Sequence, residues 1–99
     1  MIIKLGKFGT TLISRTDGKE AYLSLQQTLK DIKENEKIEI NFEGVNTLSA
    51  GWSDEVLTPL LNSYGEKLTL NDTTNLSVRA TIKMLEEIHN KKFNTVNKN

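Results

Sequence analysis

Alternation of polar and apolar residues marks the strands of this chain. Residues 37–42 alternate over six positions and place Ile38, Ile40 and Phe42 on one face, which is the pattern of a half-buried strand. Shorter β-branched or alternating runs predict three further strands, over residues 2–5, 10–13 and 67–71. Because residues 6–9 are typical of a turn, the first two strands are expected to pair as a hairpin.

The first helix is predicted from the region of Asp17, because Asp17 and Glu20 have the spacing of a capping box. Apolar residues then recur at intervals of four, four and three, which places one apolar stripe on the helix: Ala21, Leu25, Leu29 and Ile32. The polar run 33–36 ends this helix. With a strand before it and another after it, the spacing favours a β-α-β crossover.

A second helix is predicted before Gly65, which is a natural stop signal. Its apolar positions have helical spacing: Trp52, Val56, Leu57, Leu60, Leu61 and Tyr64. Ser49 or Ser53 is expected to cap it, and Asp54 and Glu55 suit the positive end of its dipole.

A third helix follows the polar loop 72–75, with a stripe formed by Leu76, Ile82, Leu85 and Ile88. Periodicity is lost beyond residue 91. The sequence therefore predicts a single α/β domain over residues 1–91 and a frayed tail over residues 92–99. The predicted order of elements is ββαβαβα, around one mixed four-stranded sheet.

Composition narrows the possible functions. The 99 residues include 13 Lys and Arg against 13 Asp and Glu, so no overall charge draws the protein to nucleic acid or to an anionic membrane. Cysteine is absent and His89 is the single histidine, which argues against thiol chemistry and a multi-histidine metal site. Lys4 interrupts the first apolar residues too early for a signal peptide, so we expect a cytoplasmic protein.

Three features could carry chemistry, and each also has a purely structural explanation. The segment Thr73, Thr74 and Asn75, together with Arg79, could cradle an anion at a helix start, although such residues more often only cap the helix. His89 lies near a helix end, where it suits the dipole better than it suits catalysis. Trp52 either fills the core or stands exposed as an anchor for a binding partner.

The central part of the chain also resembles a known family. A strand ending in Phe42-Glu43-Gly44-Val45 leads into a loop of small residues, which continues into Trp52 and an acidic pair at residues 54–55. Arg15 follows the second predicted strand. In this order and spacing, residues 12–88 resemble the short STAS-like domain family of unassigned function, which is related to anti-sigma factor antagonists.

That resemblance implies a protein-interaction module. STAS antagonists bind a histidine-kinase-like ATPase, which phosphorylates a serine at the start of the helix after the third strand. Aligned through Val45, the phosphorylated serine falls on Gly51 of this chain, so that switch does not carry over. Ser49 and Ser53 flank the position and are the alternative candidates for phosphorylation.

We therefore expect a non-catalytic regulatory protein without a cofactor or a metal. The resemblance assigns its partner-binding surface to residues 49–55, namely Ser49, Gly51, Trp52, Ser53, Asp54 and Glu55. Its expected partner is a protein, for which a histidine-kinase-like ATPase is the candidate; a membrane or a nucleic acid is not expected. Two alternatives stay open: an accessory protein that contacts nucleic acid through the last helix and Lys91-Lys92, or an enzyme with an unrecognised site.

Overall fold

A computed structural model describes residues 1–96, in which three α-helices alternate with short strands. The strands are β1 (Ile2–Lys4), β2 (Thr11–Leu12), β3 (Ile38–Asn41), β4 (Thr47–Leu48), β5 (Leu68–Asn71) and β6 (Asn94–Val96). The helices are α1 (Arg15–Leu29), α2 (Ala50–Tyr64) and α3 (Leu76–His89), and 3-10 turns cover Leu5–Phe8 and Gly65–Lys67. Within residues 1–96, no helix has the length and apolar character needed to cross a bilayer.

The main sheet is parallel, not mixed as predicted. Its four strands lie in the order β1-β3-β5-β6, and each neighbouring pair is parallel. The register places Ile3 beside Ile40 and Ile40 beside Leu70. Each step between neighbouring strands is made through a helix, so the predicted β-α-β arrangement is confirmed and occurs three times.

The predicted hairpin between the first two strands is wrong. The chain leaves β1 through a 3-10 turn, and β2 pairs in parallel with β4 in a separate two-stranded sheet. Backbone amides of Asn46 and Thr47 donate to the Thr10 carbonyl, and the Ser49 amide donates to the Leu12 carbonyl. These hydrogen bonds take the groups that a hairpin would have used.

The core lies between the sheet and the helices. Along the strands, burial alternates, with Ile3 and Ile40 buried while Ile2 and Lys4 are exposed. The buried apolar side chains form one cluster, which includes Leu5, Leu12, Leu25, Ile38, Val45, Leu48, Trp52, Val56, Leu57, Leu60, Leu68, Leu70, Val78 and Leu85. This single cluster is typical of one domain of this size.

Side-chain caps fix the start of each helix. Ser49 and Asn75 cap α2 and α3 as expected, and Gly65 ends α2 with a positive φ of 53°. The cap predicted at Asp17 is wrong, since α1 begins at Arg15 and the Ser14 hydroxyl accepts from the Asp17 amide. Serine caps a helix as well as aspartate does. The predicted cap at Asp17 lies only a few residues beyond the observed cap at Ser14.

Helix α3 turns a different face inward from the one predicted. Leu85 is buried as expected, but Leu76 and Ile88 are exposed, and Val78 and Thr81 take the inner positions. The Thr81 hydroxyl donates to the Leu48 carbonyl at 2.6 Å, which allows a polar residue to sit on the buried face. The predicted stripe contained only leucine and isoleucine residues, so it did not include Thr81.

The tail predicted to fray from residue 92 contains a strand. Phe93 is buried, and its amide donates to Glu86 Oε2 at 2.8 Å. This hydrogen bond holds the segment after α3 against that helix. Residues 94–96 then pair with β5, and the Asp72 amide donates to the Val96 carbonyl. The rest of that predicted tail, residues 97–99, lies outside the described residues.

Candidate functional site

The residues expected to bind a partner lie at the start of α2, and Arg15 packs beside them. We call residues 49–55 together with Arg15 the α2 edge. Ser49 organises it: its hydroxyl donates to the Ile13 carbonyl at 2.9 Å and accepts from the Trp52 amide at 3.1 Å. The serine therefore caps α2 and ties its first turn to the segment that leads into α1.

Two of the six expected docking residues face inward. Trp52 is 1% exposed, and its ring lies 6.0 Å from the Phe8 ring, so it belongs to the core and is not an exposed anchor. Ser53 is fully buried, and its hydroxyl has no partner among residues 1–96. A kinase could reach Ser53 only if α2 were displaced, so Ser49 is the one partly exposed serine of the pair.

The other polar residues of the α2 edge form a charged cluster. Arg15 Nη1 donates to Asp54 Oδ2 and to Glu55 Oε1, each at 3.3 Å, and the arginine side chain passes over Gly51. These hydrogen bonds, first the one to Asp54 and then the one to Glu55, raise the pKa of the Arg15 guanidinium above its usual range. Because Arg15 is largely exposed, the pairs contribute orientation more than stability.

Asp54 connects this surface cluster to α3. Its Oδ1 accepts from the Thr58 hydroxyl at 2.8 Å and lies 2.7 Å from His89 Nε2. Partial burial opposes ionisation of Asp54, but the hydrogen bonds from Thr58 and His89, with the one from Arg15, hold its pKa below the ordinary 3.8. Asp54 thus carries a negative charge at neutral pH and joins all three helices.

We expect Asp54→Asn to destabilise the protein at neutral pH but not in strong acid. A lowered folded-state pKa stabilises the fold above the unfolded pKa, and that contribution disappears as the pH falls through the folded pKa. The expected loss is about 1 kcal/mol at pH 7, because the site is partly open to water. Urea unfolding of both proteins between pH 2 and 7 measures it, with roughly equal stabilities expected near the lower limit. A constant difference across that range would contradict the role given to the Asp54 charge.

Apolar side chains are exposed close to the α2 edge. Ile13, whose carbonyl binds Ser49, is 57% exposed. At the start of α3, Leu76 is exposed beside Ser77, and the Ser77 hydroxyl binds the backbone of Leu48 just before the α2 edge. Exposed apolar groups beside a polar rim are the usual composition of a protein-binding surface.

The residues expected to cradle an anion are mostly used within the protein. Asn75 Oδ1 accepts from the Val78 amide, and Asn75 Nδ2 donates to the carbonyls of Val45 and Asn46. The Thr73 hydroxyl accepts from the Asn75 amide at 3.1 Å. Their polar atoms shape the loop, whereas Thr74 and Arg79 are exposed.

Sequence reasoning did not include Thr58 or His89 in the candidate site. His89 reaches Asp54 from the far end of α3, a tertiary contact that leaves no periodic signal. Thr58 lies four residues after Asp54 on α2, and this helical i,i+4 spacing is a signal that could have found it. Arg15 did have a signal, since the STAS-like resemblance includes an arginine after the second strand. Its two carboxylate partners lie 39 and 40 residues away and became visible only in the fold.

Comparison with known proteins supports the resemblance. A family model described as a STAS-like domain of unknown function (DUF4325) matches residues 17–77, which is more than half of the chain. The matched range holds most of α1, all of β3, β4, α2 and β5, and the α2 edge except Arg15. No curated protein and no solved structure matches the chain.

Proposed function

Because the chain belongs to the family of STAS-like domains of unknown function, we propose that it is a regulatory module that binds a protein partner. The observation that carries this proposal is the exposed Ile13 beside the charged cluster of Arg15 and Asp54. An apolar centre with a charged rim suits a specific protein contact. The proposal includes a cytoplasmic location and no catalysis by the chain itself.

The proposed docking surface is smaller than the one expected from the sequence. It keeps Ser49, Gly51, Asp54 and Glu55, which are partly exposed, and it adds Ile13 and Arg15. The two inward-facing residues are left out, because a buried side chain cannot touch a partner without local unfolding.

The proposed partner is a histidine-kinase-like ATPase, as for the STAS antagonists that this chain resembles. Gly51 replaces the serine that such a kinase phosphorylates, so binding here would not be switched at that position. A phosphate on Ser49 would act differently. It would remove the proton that Ser49 donates to the Ile13 carbonyl and would add negative charge beside the acidic residues of the docking surface, while its oxygens can still accept from the Trp52 amide.

We expect Ile13→Asp to abolish partner binding while leaving the fold intact, since the side chain is already exposed. The matched control is Leu23→Asp: Leu23 is 66% exposed on α1, away from the start of α2. The experiment is a tagged pull-down from the native cells with mass spectrometry. An ATPase of this class recovered with wild type and Leu23→Asp, and lost with Ile13→Asp, is the expected result.

Two outcomes would count against this proposal. If Ile13→Asp and Leu23→Asp retain the partner equally, the docking surface lies elsewhere on the molecule. If the wild-type protein retains no ATPase in repeated pull-downs, the proposed partner class is wrong. Circular dichroism of the variants shows in either case whether they are folded.

A further inference from the structure

A cavity of about 650 Å³ opens beside α3, apart from the α2 edge. It is lined by residues of β5, α3 and β6, and its apolar wall contains Phe42, Leu70, Val78 and Ile82. This volume lies within the range of sites that hold small organic molecules, which are also mainly apolar with a few polar groups. The cavity is at the carboxyl end of β5, where ligands of parallel α/β sheets commonly bind.

One buried polar group in this cavity has no partner. Asn71, at the end of β5, is 7% exposed and lines the cavity. Its Oδ1 accepts no hydrogen bond from any residue among 1–96. Buried amides are rarely left unpaired, because they lose their bonds to water without a replacement. The oxygen lies beneath the cavity surface, so a donor group on a bound molecule would satisfy it once the amide turns toward the cavity.

The cavity also carries cations that lack acidic partners. Arg79 and Lys83 lie one turn apart on α3, both line the cavity, and neither forms an ion pair within the part of the chain that the structure describes. Lys92 lines it too, but its ammonium lies 3.9 Å from Glu86 Oε1. Two acids line the cavity as well: Glu86 lies near Lys92, and Asp72 Oδ1 accepts from the Thr73 amide. The unpaired arginine and lysine favour an anionic ligand.

We propose that this cavity binds a small amphipathic organic anion. The apolar body of the ligand lies against Leu76 and Ile82, its anionic group pairs with Arg79 and Lys83, and a hydroxyl group donates to Asn71 Oδ1 once that amide turns toward the cavity. This site does not depend on the proposed protein partner, and it can be tested on the purified chain.

The test uses amide NMR titrations of the full chain with matched probes. The reference probe is 4-hydroxyphenylacetate, which has an apolar ring, a donor and a charge; phenylacetate lacks the donor and tyrosol lacks the charge. We expect saturable shifts at the end of β5 and along α3, strongest with the reference probe. Phenyl phosphate distinguishes a phosphate ester from a carboxylate as the preferred anion, and inorganic phosphate tests whether the apolar body is needed.

Two variants connect the binding to the named residues. Lys83→Gln is expected to weaken binding of the reference probe about tenfold, as expected for the loss of one charge-assisted contact. Its matched control is Lys30→Gln, an exposed lysine at the end of α1, which should leave the affinity unchanged. Asn71→Leu is expected to remove the preference for the reference probe over phenylacetate, and its NMR spectrum shows directly that it is folded.

Three results would overturn the proposal. They are shifts that do not saturate with any anionic probe, tyrosol binding as tightly as the reference probe, and a Lys83→Gln affinity equal to that of wild type. Inorganic phosphate binding as tightly as phenyl phosphate would also overturn it, because the apolar wall would then have no role.

Discussion

Replacing Trp52 by alanine is expected to lower the free energy of unfolding by about 3–5 kcal/mol. The side chain is 1% exposed, belongs to the main hydrophobic cluster and contacts the Phe8 ring. Alanine would leave a cavity that the surrounding side chains only partly fill. Since domains of this size have total stabilities of about 5–15 kcal/mol, the variant would lose a large share of its stability.

Urea unfolding followed by far-UV circular dichroism measures this loss, because the variant lacks the only tryptophan and gives no indole fluorescence. The control is Leu23→Ala on the exposed side of α1, with an expected change within about 0.5 kcal/mol. A loss below about 1 kcal/mol for Trp52→Ala would contradict its core position. If the expected loss is found, failure of this variant to bind a partner would report unfolding and not a missing contact.

The three helices and four of the strands could be predicted from the sequence, because their signals are local. The helical spacing of α1 and α2 and the alternation of β3 follow directly from the burial of one face. Strand pairing was not readable, since the partner of β2 is decided by hydrogen bonds to a segment more than thirty residues away. β6 was missed for a similar reason: it has only three residues and depends on pairing with β5.

The same difference between local signals and long-range contacts decides which parts of the candidate site could be predicted. The Ser49 cap and the acidic pair that follows it were predicted, because capping residues act on their own helix. Whether Trp52 faced in or out was left open, since a residue in the first turn of a helix can face either way until its packing is known. Packing turns it inward: the side chain is 1% exposed with its ring 6.0 Å from the Phe8 ring, while the Trp52 backbone lies against Gly18 of α1.

Gly18→Ala is expected to destabilise the protein by about 2 kcal/mol, although alanine normally favours a helix interior by about 1 kcal/mol. A β-carbon at residue 18 would lie 2.7 Å from the Trp52 carbonyl oxygen and 3.1 Å from Trp52 Cα. Both are backbone atoms of α2, so no side-chain rotation relieves the overlap. The two helices would have to separate, which would loosen the packing of the whole first turn of α2.

Gly51→Ala is the matched control, because it makes the same change in the first turn of α2 without an overlap. A β-carbon there would meet its nearest atoms at 3.8–3.9 Å, which is ordinary contact, and we expect a gain of up to about 1 kcal/mol. Urea unfolding of both variants compares the signs directly. Stabilisation by both substitutions would show that α1 and α2 are not held at this distance. Opposite signs would establish that Gly18 is kept for close packing of the helices and not for chain flexibility.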